Sequence, residues 1–185
     1  MRVGIFGGSF NPPHVGHVLA ATYALCQGEV DLVLVVPTFC HPFGKSLAGF
    51  QSRYEMSKLA FEWLPGVQVS DIENTLPTPS RTLNTVEALL GRHPDWQLRL
   101  IMGADLLHEA ERWFAFDRLR EVAPPLVIGR SGYPSDSDTF LDLPKVSSSY
   151  LRELTRQQDW GGVRRLTHFA VAEYIIANGL YQDCP

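Results

Sequence analysis

Two histidines stand three positions apart in the stretch GGSFNPPHVGH, residues 7–17, directly after a short apolar run. Residues three apart on a helix share a face, so His14 and His17 overlook the first turn of any helix that begins there. Two imidazoles in that position suit hydrogen-bond donation to one phosphate. Zinc fits less well, because HxxH is not the HExxH spacing and no cysteine or acidic residue nearby completes a familiar ligand set. A merely packed or solvent-facing pair is the competing reading. Gly7 and Gly8 allow positive φ and let a ligand approach the backbone without striking a Cβ. Asn11, Pro12 and Pro13 resemble a helix start, a capping side chain followed by prolines where amide hydrogens would go unpaired. A helix amino terminus aimed at this spot supplies N–H groups and partial positive charge, both suited to anions. The stretch has neither GxGxxG nor the P-loop pattern, so its glycines alone assign no ligand.

Such groups need a frame to hold them. The runs RVGIF, DLVLVVP, VQVSDIE, LRLIMG and PLVIGR are near-continuous in apolar residues, as expected of parallel strands covered on both faces. Helix-like segments begin near His14, Gln51, Thr82 and Glu111, so each strand returns beside another through a helical crossover. The expectation is an α/β fold, a doubly wound parallel sheet of about five strands. Ligands of such sheets bind beyond the carboxyl ends of the strands where the winding reverses, which is where GGSFNPPHVGH would lie. After Arg130 the segment SGYPSDSDTFLDLPK reads as a loop with a short strand at Phe140–Asp142. The tail, SSSYLRELTRQ and THFAVAEYIIANGLY, reads as helical, with serine caps ahead of its first helix and Gly179 closing its last in a left-handed turn.

The 185 residues are read as one domain, 1–185, with the helical segment 147–180 packed on it. A net charge of −4 gives no general attraction to nucleic acid or anionic membrane, so any anion site is local. Cys26, Cys40 and Cys184 form no CxxC pair and are expected as reduced structural thiols. No leader and no run of about 18 apolar residues is present, and the expectation is a cytoplasmic protein; oligomeric state is left open.

GGSFNPPHVGH resembles the signature of the nucleotidylyltransferase family, whose HxGH element matches His14 to His17. Within that family the chain is similar to the bacterial nicotinate-nucleotide adenylyltransferases over nearly its whole length. SRTLNTVEALL, LIMGADLLHEAERWFAFDRL, GRSGYP, VSSSYLRE and AVAEYIIANGLY carry the likeness. The resemblance implies a Rossmann-like fold and adenylyl transfer from ATP to nicotinate mononucleotide. The alternatives are the nicotinamide-mononucleotide and pantetheine-phosphate transferases, or a non-catalytic nucleotide-binding module on the same fold.

The resemblance also implies residue roles. His14, His17, Lys45 and Arg152 are the catalytic donors, Lys45 being chosen because PTFCHPFGKSLAG replaces the usual Pro-Pro-His-Lys run. Gly7, Gly8, Ser9, Phe10, Gly16, Gly103, Asp105, Ser148 and Ser149 face ATP, with Asp105 on its ribose; N-capping is the competing role for Ser149, and a solvated loop position for Asp105. Thr82, Thr85, Trp113 and Arg130 hold the mononucleotide, Trp113 against the pyridine ring unless it is a core residue. Mg²⁺ is expected to arrive with ATP, with no protein metal cage and no tightly bound cofactor.

Overall fold

The computed structural model describes residues 1–42, 44–107, 113–129 and 145–182, the backbone alone at 105 and 107. Five strands form one sheet: β1 (Arg2–Gly8), β2 (Leu32–Pro37), β3 (Val67–Val69), β4 (Gln97–Gly103) and β5 (Pro125–Ile128). Their order is β3-β2-β1-β4-β5 and every pairing is parallel. The winding reverses between β1 and β4, which pair with Ile5 opposite Leu100. This is the doubly wound α/β sheet expected from the apolar runs.

Because strand side chains alternate between faces, each strand feeds two cores. Phe6, Val33 and Val35 pack on one face under α1 (Val15–Cys26), α2 (Phe50–Phe61) and α8 (Phe169–Ala177). Val3, Ile5, Leu34 and Leu100 pack on the other under α3 (Thr82–Arg92) and α5 (Phe116–Val122). Each fully buried aliphatic side chain contributes roughly 1.5–3 kcal/mol. The helix α4 (Ala104–Leu107) leaves β4 directly. The tail supplies α6 (Ser148–Arg156), α7 (Trp160–Leu166) and α8.

Several expectations are corrected. The third strand ends at Val69 and the chain turns into a 3₁₀ helix at Ile72–Thr75, so Ile72 and Glu73 leave the sheet. The tail holds three helices rather than two; α7 is started by Asp159, whose side chain accepts from the Gly162 amide at 2.9 Å. The serine cap expected ahead of α6 is Ser147, which accepts from the Tyr150 amide, so Ser149 has no capping role. Gly179 closes α8 at φ +60, with the Leu180 amide bonded to the Ile175 carbonyl, as its left-handed turn requires. Cys26 and Cys40 are exposed, so neither packs a core. The expected strand at Phe140–Asp142, the helix start at Glu111 and Cys184 lie outside the described residues. Among the described residues no helix is long and apolar enough to cross a membrane.

Candidate active site

The chain leaves β1 through Ser9 and Phe10 and enters α1 at Val15. Neither Gly7 nor Gly8 takes a positive φ; the left-handed residue is Phe10, at φ 45. Its ring is buried in the core between Phe6 and Phe61, so the Phe10 side chain anchors the turn. His14 is the N-cap residue, with extended backbone at φ −145, and His17 is the third residue of the helix. The His14 amide donates to His17 Nδ1 at 3.1 Å. With Nδ1 accepting, the neutral imidazole of His17 carries its proton on Nε2. The two rings stack at 3.7 Å, and Phe10 meets His17 edge-on at 5.0 Å. A Cβ at Gly16 would lie 3.1 Å from His14 Cε1 and Nδ1, so glycine there makes room for the imidazole.

Asn11, Pro12 and Pro13 are buried ahead of the helix, and Asn11 does not cap it. Two prolines deprive this loop of amide donors, yet its buried carbonyls still need partners. Side chains from distant elements supply them. Arg53 Nη1 donates to the Ser9 carbonyl at 2.9 Å, Arg152 Nη1 to Asn11 at 2.8 Å, Ser148 Oγ to Pro12 at 2.8 Å and Thr167 Oγ1 to Pro13 at 2.8 Å. Asn11 Oδ1 accepts from the Ala48 amide at 3.0 Å and from the Tyr181 hydroxyl at 2.8 Å. Burial holds the Tyr181 phenol well above its ordinary pKa, so it stays a donor. The tail thus holds the histidine loop in place. Ser148 and Arg152, expected at the triphosphate, spend at least one donor each on that loop, and Arg152 Nη2 reaches Ser149 Oγ at 3.1 Å.

In front of the loop lies a cavity of about 530 Å³ at the carboxyl ends of β1, β2 and β4. Gly7, Gly8, Ser9, Thr38, His41 and Lys45 line it, together with Arg81, Thr82, Thr85, Leu106, Trp113, Phe114 and Leu119. Trp113 is half-buried and meets Phe116 edge-on, so it is wall and core together. Burial lowers the His41 pKa, helped by the Lys45 and Arg53 charges, which keeps that imidazole neutral near pH 7. Glu73, which sequence reasoning missed, is the one carboxylate in the described lining. Its oxygens accept from the Phe39 amide at 2.9 Å and Thr85 Oγ1 at 3.1 Å, tying the loop after β2 to α3. Thr85 is 2% exposed with its hydroxyl committed to Glu73, so it braces the wall.

His14, His17, Gly16, Ser148, Ser149 and Arg152 are not among the cavity's lining residues. Gly103 ends β4 at the switch point and Asp105 follows in α4. Arg130 lies outside the described residues. Among the described residues no three His, Cys, Asp or Glu side chains form a metal-holding group.

The cytidylyltransferase-like family model matches residues 5–154. A protein of Anaeromyxobacter sp. strain K, named "probable nicotinate-nucleotide adenylyltransferase", is 43% identical across 98% of this chain and 97% of its own. One of Thermus thermophilus with the same name is 36% identical across 98% and 100%. The Plasmodium falciparum nicotinic acid mononucleotide adenylyltransferase complexed with NaAD superposes with TM-score 0.81 at 21% identity, covering 97% of both chains, which establishes the fold. With a family match over most of its length and relatives this similar from end to end, the chain belongs to the cytidylyltransferase-like family and, within it, to the nicotinate-nucleotide adenylyltransferases.

Proposed function

We propose that the chain transfers the adenylyl group of ATP to nicotinate mononucleotide, giving nicotinate adenine dinucleotide and pyrophosphate, a step of NAD biosynthesis in the cytoplasm. The observation that carries this reading is one cavity whose lining combines glycine backbone, His41 and Lys45 with the aromatic side chains of Trp113 and Phe114. A phosphate suits the first group and a pyridine ring the second.

In the reaction, an oxygen of the mononucleotide phosphate attacks the α-phosphorus of ATP. The new P–O bond forms as the bond to the α,β-bridging oxygen breaks, and the electron pair leaves with pyrophosphate. The nucleophile is already an anion, so no base is required. The protein's work is to align two repelling phosphates and neutralise the charge that develops. His17 Nε2 and His14 serve as donors at the transferring phosphoryl group, and Lys45 meets the β- and γ-phosphates. Arg152 has N–H groups beyond the two it spends on Asn11 and Ser149, and these face the triphosphate with the Ser148 and Ser149 amides. Gly103 and Asp105 attend the ATP ribose, Thr82 and Arg130 the mononucleotide, and Trp113 walls the pyridine. Mg²⁺ enters as part of the MgATP substrate, a role that suits a site whose side-chain donors are mainly cationic or imidazole.

The test is pyrophosphate release from MgATP with nicotinate mononucleotide, nicotinamide mononucleotide and phosphopantetheine in turn. The expected result is turnover with the nicotinate substrate at least about tenfold higher in kcat/KM than with the amide. Parity or amide preference removes the acid-specific assignment and leaves adenylyl transfer standing. No pyrophosphate with any acceptor favours a nucleotide-binding module.

Lys45 gives a second expected result. It is exposed on the cavity rim, so Lys45→Ala should leave melting within about 2 °C of wild type, as surface changes do. Its loss should still lower kcat/KM for ATP about tenfold or more, the scale of one charge-assisted phosphate contact. Steady-state kinetics with varied ATP measure this, and unchanged kinetics would move the role to His41.

A further inference from the structure

Arg81 lies at the amino end of α3, its backbone in the N-cap position, and forms part of the cavity wall. Its guanidinium carbon sits 3.9 Å from the centroid of the Phe114 ring, which lines the same cavity beside Trp113. Stacking fixes the plane of a guanidinium and leaves its N–H groups pointing outward in that plane. No carboxylate claims those donors among the described residues. Glu73, the acid in the same lining, is occupied by the Phe39 amide and Thr85 Oγ1. Lys45 is in the same lining, where its charge acts on His41. Arg81 is therefore a cation held against the aromatic wall, where the proposed function seats the pyridine ring.

That ring is a pyridinium in both candidate substrates, because its nitrogen bears the ribose. In nicotinate mononucleotide the ring carboxylate balances the charge; in the amide nothing does. A fixed guanidinium thus attracts one ring and repels the other, and discrimination built on attraction and repulsion together exceeds that from contact alone. We infer that Arg81 is the specificity-determining residue of this chain, its stacked guanidinium pairing with the substrate's carboxylate and opposing the uncompensated pyridinium of the amide. The inference rests on the function proposed above.

The experiment compares kcat/KM for both mononucleotides, at saturating MgATP, in wild type, Arg81→Gln and Arg81→Lys. In Arg81→Gln the nicotinate value should fall about tenfold or more while the nicotinamide value stays within about twofold or rises, collapsing the ratio. Arg81→Lys, which keeps the charge without the planar fork, should lie between. Calorimetric melting confirms that the variants are folded. A change in wall shape alone would lower both substrates alike, and an equal loss, or an unmoved ratio, overturns the inference. Wild-type turnover separates the two ideas. An unmoved ratio in an active enzyme removes only the role of Arg81, whereas a wild type inert with both mononucleotides removes the function and the inference with it.

Discussion

Replacing His17 with alanine is expected to lower turnover about 10²- to 10³-fold, the effect of removing one preorganised donor from a transition state. The expectation rests on how firmly the ring is set. Its Nδ1 takes the His14 amide, His14 stacks on one side and Phe10 meets it from another, so the orientation of Nε2 exists before substrate arrives. Preorganisation of this kind avoids reorganisation at the moment of reaction. Stability should fall too, because the His14 amide loses its acceptor and Phe10 a neighbour, a loss of about 1–2 kcal/mol. That corresponds to a melting shift of about 3–8 °C for a domain this size, which leaves the enzyme folded under assay conditions. Turnover at saturating substrates, measured beside calorimetric melting, separates the effects. A loss of activity no greater than the loss of folded protein would make His17 a capping residue only.

How far the sequence speaks depends on what each residue is asked to do. Strands buried on both faces must be apolar throughout, so β1, β2, β4 and β5 stand out from RVGIF, DLVLVVP, LRLIMG and PLVIGR within a residue or two. The third run misled because alternating residues of VQVSDIE fit a strand, while Glu73 is needed off the sheet to bind Phe39 and Thr85. Gly7 and Gly8 are free to take a positive φ, yet the left-handed turn falls on Phe10, whose ring gains enough from burial between Phe6 and Phe61 to hold it. No local pattern announces that. The histidines were legible as a pair but not as a cap, since an imidazole receiving a backbone amide three residues away is not a common N-terminal signature. Arg81 gave no signal beyond an ordinary surface charge, because its partner Phe114 lies far away in sequence.

Arg53 is the sharpest case of a residue that pattern reading discards and the structure makes central. In FQSRYEMSKLAF it looks like solvent-facing charge on α2, yet it is 1% exposed. Nε donates to the Ala48 carbonyl at 2.8 Å, Nη1 to Ser9 at 2.9 Å, and Nη2 lies 3.5 Å from the Phe39 carbonyl. One guanidinium thereby joins the turn that carries the histidines to both ends of the loop that carries His41 and Lys45. Burial lowers the Arg53 pKa, but guanidinium remains charged at any physiological pH. Arg53→Met keeps an apolar stem and leaves those carbonyls without donors, each a cost of about 1–3 kcal/mol. The expected result is a stability loss of about 3–5 kcal/mol and a melting temperature lower by about 10–15 °C. Turnover of the protein that remains folded should fall about 10²-fold, because misplacing positioning groups by about 1 Å has that effect. Arg53→Lys should recover part of the stability and little of the rate, since one ammonium lacks the fork that reaches three carbonyls. Both variants are to be assayed at a temperature where at least nine-tenths of the protein is folded. Normal turnover there would show that Arg53 holds the fold together without setting the distance between the histidine turn and the Lys45 loop.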